Sequence, residues 1–345
     1  MNNEIIINRY GLGHAAVVLQ RNQIIDCFID PPEDAVFYPP NTLLEANIDR
    51  KATNIGGYFV KLPNGGQGFL KSKNKYKEGS LVTLMSQVIF EMNKPQTFTD
   101  VLKSVSKYFV IKMSESGYSF SKKFPESFDK CKASSILLSK IKKFDDIFII
   151  CRSSAAGINF QEFDHEVEKA IINFQNIKLA LASDCIYYDG LARNVVLDQY
   201  KNELYSVNED EGVFEQLGIW EQLEEIKNGR IDLNTGSFLI FEQTKAFVSI
   251  DVNSGTDFKS TKEEINLNAC SEIFRIIRVC GFGGKILIDF LSCSQASRRK
   301  IYRKLLNNFS KDIVKIKLWG WTKGGTFELE RKRDKIPLNL LIKAN

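Results

Sequence analysis

Histidine is nearly absent: the 345 residues include only His14 and His165. That excludes a metal centre built on histidine, and both read as structural or surface residues. Cysteine is present in an odd number, at positions 27, 131, 151, 185, 270, 280 and 293, and no two form a Cys-x-x-Cys pair. Neither a disulfide framework nor a zinc knuckle is indicated, and the thiols read as buried and reduced in a cytosolic protein. No apolar run approaches the ~20 residues of a membrane span; runs such as Ile147–Cys151 are strand-sized. The opening Met1-Asn2-Asn3-Glu4 lacks the basic start and apolar stretch of a signal peptide. A cytoplasmic location is the expectation. Charge of one sign is not in large excess either, 47 basic against 42 acidic residues for a net +5. This permits a nucleic-acid partner without demanding one, so the placement of the basic residues decides.

What is present suggests roughly two to four domains for this length, and 43% hydrophobic residues allow a sizeable core. Glu4 to Asp30 reads as a hairpin-like opening, with apolar runs at Ile5–Ile7, Ala15–Leu19 and Ile24–Phe28 separated by Gly11-Leu12-Gly13 and Arg21-Asn22-Gln23. Pro31-Pro32 and Pro39-Pro40 mark a boundary. Short strands follow at Gly57–Leu62, Gln67–Leu70 and Gly79–Val88, the first two joined by Pro63-Asn64-Gly65-Gly66. Short strands with glycine-rich turns suggest a small β-barrel of the oligonucleotide-binding kind. Asp145 to Cys151 reads as a buried strand and Asp164 to Phe174 as an amphipathic helix. No internal repeat or low-complexity tract is found.

The informative stretch is 245–290. Lys245–Asp251 and Lys285–Phe290 read as strands, and Glu263 to Val279 has helical spacing through Ile265, Ala269, Ile273, Phe274 and Ile277. A βαβ unit of this kind has a right-handed crossover, and both strands end on the same sheet edge. Asp251 and Asp289 each close an apolar strand, where a carboxylate is costly unless it is used. Magnesium suits such a pair, because it binds one or two carboxylates and keeps waters and phosphate oxygens. Asn253, two residues on, shares the side of Asp251. The alternative is that Asp251 to Gly255 is only a turn and that Asp289 caps the next element.

Three motifs resemble the ribonuclease E/G family here: Ser249-Ile250-Asp251-Val252-Asn253-Ser254-Gly255, Asn266–Ile273 and Gly283–Phe290. Gly320-Trp321-Thr322-Lys323 and Phe327–Arg333 are similar to the stretch that closes the family's catalytic region. The resemblance implies that Asp251 and Asp289 hold catalytic Mg2+, helped by Asn253. It extends over nearly the whole chain. Phe59 and Phe69 match the aromatic pair of the family's S1 barrel, and Lys94, in Met92-Asn93-Lys94, falls where the family has an RNA-contacting lysine. Ile150–Ala155 is similar to the family's 5′-monophosphate pocket. Arg152 brings the planar fork that holds a phosphate and Ser153 a hydroxyl donor.

The fold class implied is α/β (α+β, multidomain). An RNase H-like fold (1–37 and 188–228) is interrupted by an S1, OB-type barrel (38–102) and a 5′-sensor region (103–187). A DNase I-like catalytic subdomain (229–345) follows. Arg298-Arg299-Lys300 with Arg303-Lys304, and Arg331-Lys332-Arg333 with Lys335, offer phosphate-binding charge to that subdomain, the alternative being a solvated face. Where the family has an acid, Ser292 stands here; Cys280-Gly281 replaces an Arg-Asp pair, and Lys323 an arginine. These positions are expected around the metal. The chain stops at Asn345, before the cysteine pair with which many relatives bind zinc. A zinc-linked tetramer is therefore not expected, while a monomer or homodimer stays open. The function implied is a magnesium-dependent endoribonuclease cutting single-stranded RNA in processing or decay and favouring 5′-monophosphorylated ends. The rival is a catalytically weakened or inactive RNA-binding protein of the same architecture.

Overall fold

The computed structural model describes residues 3–11, 13–32, 35, 37–38, 40–88, 94–182, 192–200 and 204–342. The expected boundary at 187/188, Cys185, and Met92-Asn93 of the lysine segment lie outside the described residues. Two compact units are present, residues 34–194 and residues 1–33 with 195–345.

The chain opens with β1 (Asn3–Tyr10), β2 (Gly13–Gln20) and β3 (Gln23–Ile29), antiparallel neighbours in that order. Arg21 and Asn22 both have positive φ, 52° and 61°. That is the signature of the tight primed turn whose twist matches the flanking strands. Ile5, Ile6 and Ile7 are all fully buried. The strand is thus covered on both faces, which is why it reads as a run and not as an alternation.

Residues 34–194 begin with β4 (Leu43–Ala52), β5 (Gly57–Lys61), β6 (Gln67–Leu70), β7 (Leu81–Val88) and β8 (Gln96–Thr99). They close into a five-stranded barrel in the order β4-β5-β6-β8-β7. Leu44, Ala46, Ile48, Tyr58, Val60, Leu70, Leu84 and Phe98 fill it. Closure leaves no free strand edge, so a small barrel can stand as a rigid platform. A second sheet, order β11-β12-β10-β9, is built from β9 (Lys103–Val105), β10 (Phe109–Met113), β11 (Gly117–Phe120) and β12 (Ile147–Cys151). Helices α1 (Lys130–Ile141) and α2 (Phe160–Ala182) pack with it around Phe109, Ile111, Ile149, Phe163 and Phe174. The predicted helix at 164–174 is the middle of the longer α2.

The other unit resumes with α3 (Ala192–Tyr200) and β13 (Tyr205–Glu209), the latter parallel to β1, which makes the first sheet β13-β1-β2-β3. After α4 (Val213–Gln216) and α5 (Ile219–Lys227) comes a six-stranded sheet, order β14-β15-β16-β17-β19-β18. Its strands are β14 (Arg230–Asp232), β15 (Phe238–Gln243), β16 (Val248–Asn253), β17 (Gly284–Asp289), β18 (Ile316–Trp321) and β19 (Phe327–Arg331). Helix α6 (Lys262–Val279) links β16 to β17, α7 (Gln295–Phe309) follows β17, and the short α8 (Leu338–Leu341) comes last. The architecture is therefore mixed α/β with a closed barrel.

Strand β16 begins at Val248 and not at Lys245, because the Thr244 hydroxyl accepts from the amides of Ala246 (3.2 Å) and Phe247 (3.1 Å) and curls those residues into a turn. Helix α6 starts with a capping box between Thr261 and Glu264. Its Ile265, Ala269, Ile273, Ile276 and Ile277 are all 1% exposed or less. Each buried isoleucine stabilises by about 1.5–3 kcal/mol, so a charge at Ile273 would unseat the helix.

Two basic residues expected to face phosphate are internal. The Arg331 side chain is 1% exposed and is held by Asp312 at 2.9 Å and Asp334 at 2.6 Å. Lys335 pairs with Asp26, donates to the Cys27 carbonyl at 3.0 Å, and lies over the Phe28 ring at 3.7 Å. The buried carboxylates of Asp26 and Asp312 require these cations, which removes both from any phosphate.

Candidate functional site

Along β16, Val248, Ile250 and Val252 point inward, and along β17 so do Ile286 and Ile288. The pleat therefore turns Asp251, Asn253 and Asp289 to the other face, where both aspartates are exposed. The strands are parallel and in a register that sets Asp251 directly beside Asp289. Neighbouring strands lie ~4.8 Å apart. In water two carboxylates at about that separation repel by about 1 kcal/mol. That is tolerable without a cation and relieved by one. The Asn253 amide donates to Asp251 Oδ2 at 3.0 Å, which fixes the rotamer of that carboxylate.

The loop after Asp289 is anchored from below. Asn266, fully buried on α6, donates to the Leu291 carbonyl at 2.8 Å and accepts from the Leu291 amide at 3.0 Å. Ser292, one residue on, accepts from Lys262 Nζ at 3.0 Å. A cation thus stands against this serine. Helix α7 begins at the end of the same loop. Its Lys300 is taken by Glu263, while Arg299 and Arg303 face solvent. Arg298 lies over the Trp321 ring at 4.8 Å.

Of the three departures expected around the pair, two lie at its end of the sheet and the third does not. Ser292 follows Asp289 closely, and the Thr322–Thr326 turn carrying Lys323 leads into β19, whose Phe327 pairs with Ile288. Cys280-Gly281 is at the other end of the sheet. Cys280 caps the C-terminus of α6 and is 3% exposed. In a βαβ unit the helix returns the chain to the start of the second strand, so these residues precede β17 and Asp289 ends it. They do not border the pair.

The aromatic pair of the barrel is also in register. Phe59 on β5 faces Phe69 on β6, ring centroids 5.7 Å apart at 70°. Both are half-buried on the outside of the barrel, while their neighbours Tyr58, Val60 and Leu70 form its inside. Gly57 makes room for them: a Cβ there would lie 2.6 Å from Phe69 Cζ. The Arg50 guanidinium sits 4.7 Å over the Phe59 ring. Lys94 is exposed.

The sequence reading missed a further basic feature. Lys71, Lys73, Lys75 and Lys77 are all exposed on the β6–β7 connection. Asp100 fastens this loop by accepting from Ser72, from Asn74 Nδ2 at 2.8 Å and from the Tyr76 hydroxyl at 2.8 Å. Burial pushes the Asp100 carboxyl up, but those hydrogen bonds outweigh it and hold it below the ordinary range. The alternating Lys-x-Lys-x-Lys-x-Lys pattern was the available signal.

Arg152 directly follows β12 and opens a 3-10 turn, Ser153–Gly157. Its Nη1 donates to the Ser106 carbonyl at 2.6 Å, which steadies the side chain and leaves the rest of an exposed fork to solvent. Ser153 is exposed beside it. The Ser154 hydroxyl donates to the Lys107 carbonyl at 2.6 Å and ties the turn to the strand pair. The exposed Lys107 is a neighbouring cation that the sequence reading did not single out.

These placements can now be set beside known proteins. The sequence profile of the Ribonuclease E/G family matches residues 188–334. Over residues 188–334 the chain is therefore similar to the ribonuclease E/G family. That region contains Asp251, Asn253 and Asp289 and excludes the barrel and Arg152, so it is narrower than the resemblance read over nearly the whole chain. Ribonuclease G of Haemophilus influenzae is 30% identical over 145 residues, 40% of this chain and 29% of that protein. A chloroplastic ribonuclease E/G-like protein of Arabidopsis thaliana is 32% identical over 143 residues, 39% of this chain and 14% of the relative. Ribonuclease G of Escherichia coli is 29% identical over 127 residues, 35% of this chain and 26% of the relative. The matched stretch therefore spans under a third of each of these relatives. No described helix is long and apolar enough to cross a membrane.

Proposed function

We propose that this chain is an endoribonuclease of the ribonuclease E/G kind that cuts single-stranded RNA with a magnesium ion held by Asp251 and Asp289. The observation that carries the reading is the register pairing of these two exposed carboxylates within the stretch that matches the family. The donor set fits magnesium. It consists of two carboxylates and an amide, all hard oxygen donors, and among the described residues no third acidic, histidine or cysteine side chain joins them. An ion that keeps several waters suits so sparse a set, whereas structural zinc prefers cysteine and histidine. Bound there, magnesium supplies positive charge for the scissile phosphate and polarises a water.

The protein's own residues do the rest. Asn253 holds Asp251 in one rotamer, and Asn266 fixes the loop that follows Asp289. Lys262 adds a cation beside Ser292. Both aspartates lie on an open sheet edge, which admits a polymer passing through. The barrel offers Phe59 and Phe69 for stacking, Arg50, Lys94 and the Lys71–Lys77 loop for phosphates, and Arg152 with Ser153 for a terminal 5′-monophosphate. We take 1–37 with 188–228 as RNase H-like, 38–102 as the S1 barrel, 103–187 as the 5′-sensor region and 229–345 as DNase I-like. RNA processing or decay in the cytoplasm is the corresponding role.

A second reading, an RNA-binding protein that has lost catalysis, is favoured by Ser292 with Lys262 in place of an acid. One assay separates the two. A 5′-monophosphorylated, A/U-rich oligonucleotide should be cut with magnesium and left intact without it. Asp251→Asn and Asp289→Asn should each lower the rate at least about a hundredfold, since a metal supplies several kcal/mol of charge stabilisation. Asn253→Ala should lower it less, and RNA affinity should hardly move. Normal cutting by either aspartate variant would remove the proposed site. A parent protein that binds the RNA and never cuts it would establish the second reading.

A further inference from the structure

Phe258, in the loop joining β16 to α6, is 90% exposed, the most exposed large hydrophobic side chain among the described residues. A phenylalanine so placed forgoes the burial that normally accounts for its presence. A single exposed apolar residue is ordinary in a loose loop. This loop is not loose. The Thr256 amide donates to the Gly236 carbonyl at 3.1 Å and the Asp257 amide to the Ser254 carbonyl at 3.0 Å. Asp257, 8% exposed, accepts from the Lys259 amide at 3.1 Å and the Ser260 amide at 2.9 Å. Two glycines let this loop and the β14–β15 turn meet backbone to backbone. A Cβ on Gly255 would lie 2.3 Å from the Gly236 carbonyl oxygen, and one on Gly236, at φ 92°, would lie 2.7 Å from Thr256 Oγ1.

The rigid loop leaves the strand end that carries Asp251 and Asn253, so it starts at the same end of the sheet as the carboxylate pair. Two exposed cations follow Phe258 in the chain, Lys259 next to it and Lys262 on the first turn of α6, the latter also bonded to Ser292. An exposed aromatic face with cations beside it is the pattern that holds an unpaired nucleotide, because every base offers a face and its phosphates want positive partners.

We propose that Phe258 is a stacking platform for one nucleobase flanking the scissile phosphate, with Lys259 and Lys262 answering the adjoining phosphates. The inference rests on the endoribonuclease reading and deepens it. It makes selection for single strands a property of the cutting site itself, since a paired base cannot lie on the ring.

The test uses the full chain and an RNA oligonucleotide with one cleavage site, in which each nucleotide around the cut is replaced in turn by an abasic unit. One replacement should lower kcat/KM of the parent about tenfold, mainly through KM, within the range for one stacked base. Phe258→Ala should lose a similar factor on intact RNA and nothing more on that abasic RNA, and Phe258→Trp should restore the parent behaviour. Independent losses, or Phe258→Ala cutting intact RNA like the parent, would overturn the proposal. A binding readout keeps it separate from the proposed activity. 2-Aminopurine is scanned along the oligonucleotide without magnesium, and at one position its fluorescence should be quenched by the parent and not by Phe258→Ala. If the parent never cuts, the endoribonuclease reading fails, and this quenching alone decides: its persistence in Phe258→Ala, or its absence in the parent, overturns the platform.

Discussion

Asn266 and Leu291 are joined by two hydrogen bonds, 2.8 and 3.0 Å, from one fully buried side-chain amide to both backbone groups of one residue. The loop after Asp289 therefore hangs on α6. Asn266→Ala should leave the Leu291 N–H and C=O without partners and cost about 1–3 kcal/mol of stability. Urea denaturation measures this. The same variant should slow cleavage more than it weakens RNA binding, because it loosens Asp289 and leaves the barrel untouched. A stability change within error would mean that water replaces the amide without loss.

Arg152 and Phe59 should fail differently. Charge-assisted bonds from Arg152 to a terminal phosphate each contribute ~1.5–3 kcal/mol, and 1.4 kcal/mol is about tenfold. The parent should then prefer 5′-monophosphate over 5′-hydroxyl RNA by about tenfold or more. Arg152→Ala should erase the preference while slow cutting of the hydroxyl substrate persists. Phe59→Ala should weaken both substrates alike, since stacking does not read an end group. Competition kinetics with the two substrates decides. Equal parental rates would make Arg152 a surface arginine.

Acid should release the lysine loop of the barrel. The Asp100 carboxyl is lowered from 3.8 in the folded chain. A lowered folded value gives stability that is fully present above the unfolded value and is lost as pH falls through the folded one. Protection of residues 71–77 from proteolysis or hydrogen exchange should therefore be constant down to the ordinary carboxylate range and fall below it. Asp100→Asn should show the loosened loop at neutral pH. An acid response unchanged in that variant would assign the transition to another carboxylate.

Arg331 should matter for stability and not for phosphate. Arg331→Ala strands Asp312, whose side chain is 2% exposed. Breaking a buried pair in this way costs about 3–5 kcal/mol, read as a lowered denaturation midpoint. Arg299→Ala and Arg303→Ala, both on exposed positions, should leave the midpoint alone and weaken RNA affinity. If Arg331→Ala kept its midpoint and lost RNA, the burial argument would be wrong.

The legible parts of the fold were those with a simple period. The short apolar runs that became β16 and β17 and the 3.6-residue spacing of α6 were plain, because burial demands apolar residues at those positions. The juxtaposition of Asp251 and Asp289 followed from parallel strands ending together. The burial of Arg331 and Lys335 was illegible, because Asp312 is far from Arg331 in sequence and Asp26 is over 300 positions from Lys335. A basic run looks the same whether its partners are solvent or distant carboxylates. Cys280-Gly281 was misplaced for a related reason: closeness in sequence to Asp289 hid the length of a strand between them. Phe258 was passed over, since no periodicity marks one exposed ring in a loop.

The parallel pairing of Asn3 with Tyr205 also sets a schedule for synthesis. Strand β1 has no outer neighbour until about 200 more residues have left the ribosome, roughly 10–40 s at common elongation speeds. Meanwhile residues 34–194, whose contacts close among themselves, can finish folding as an insert. The isoleucine-rich first strand waits with one edge unpaired, a span in which a nascent chain is most open to capture by chaperones or by another copy of itself.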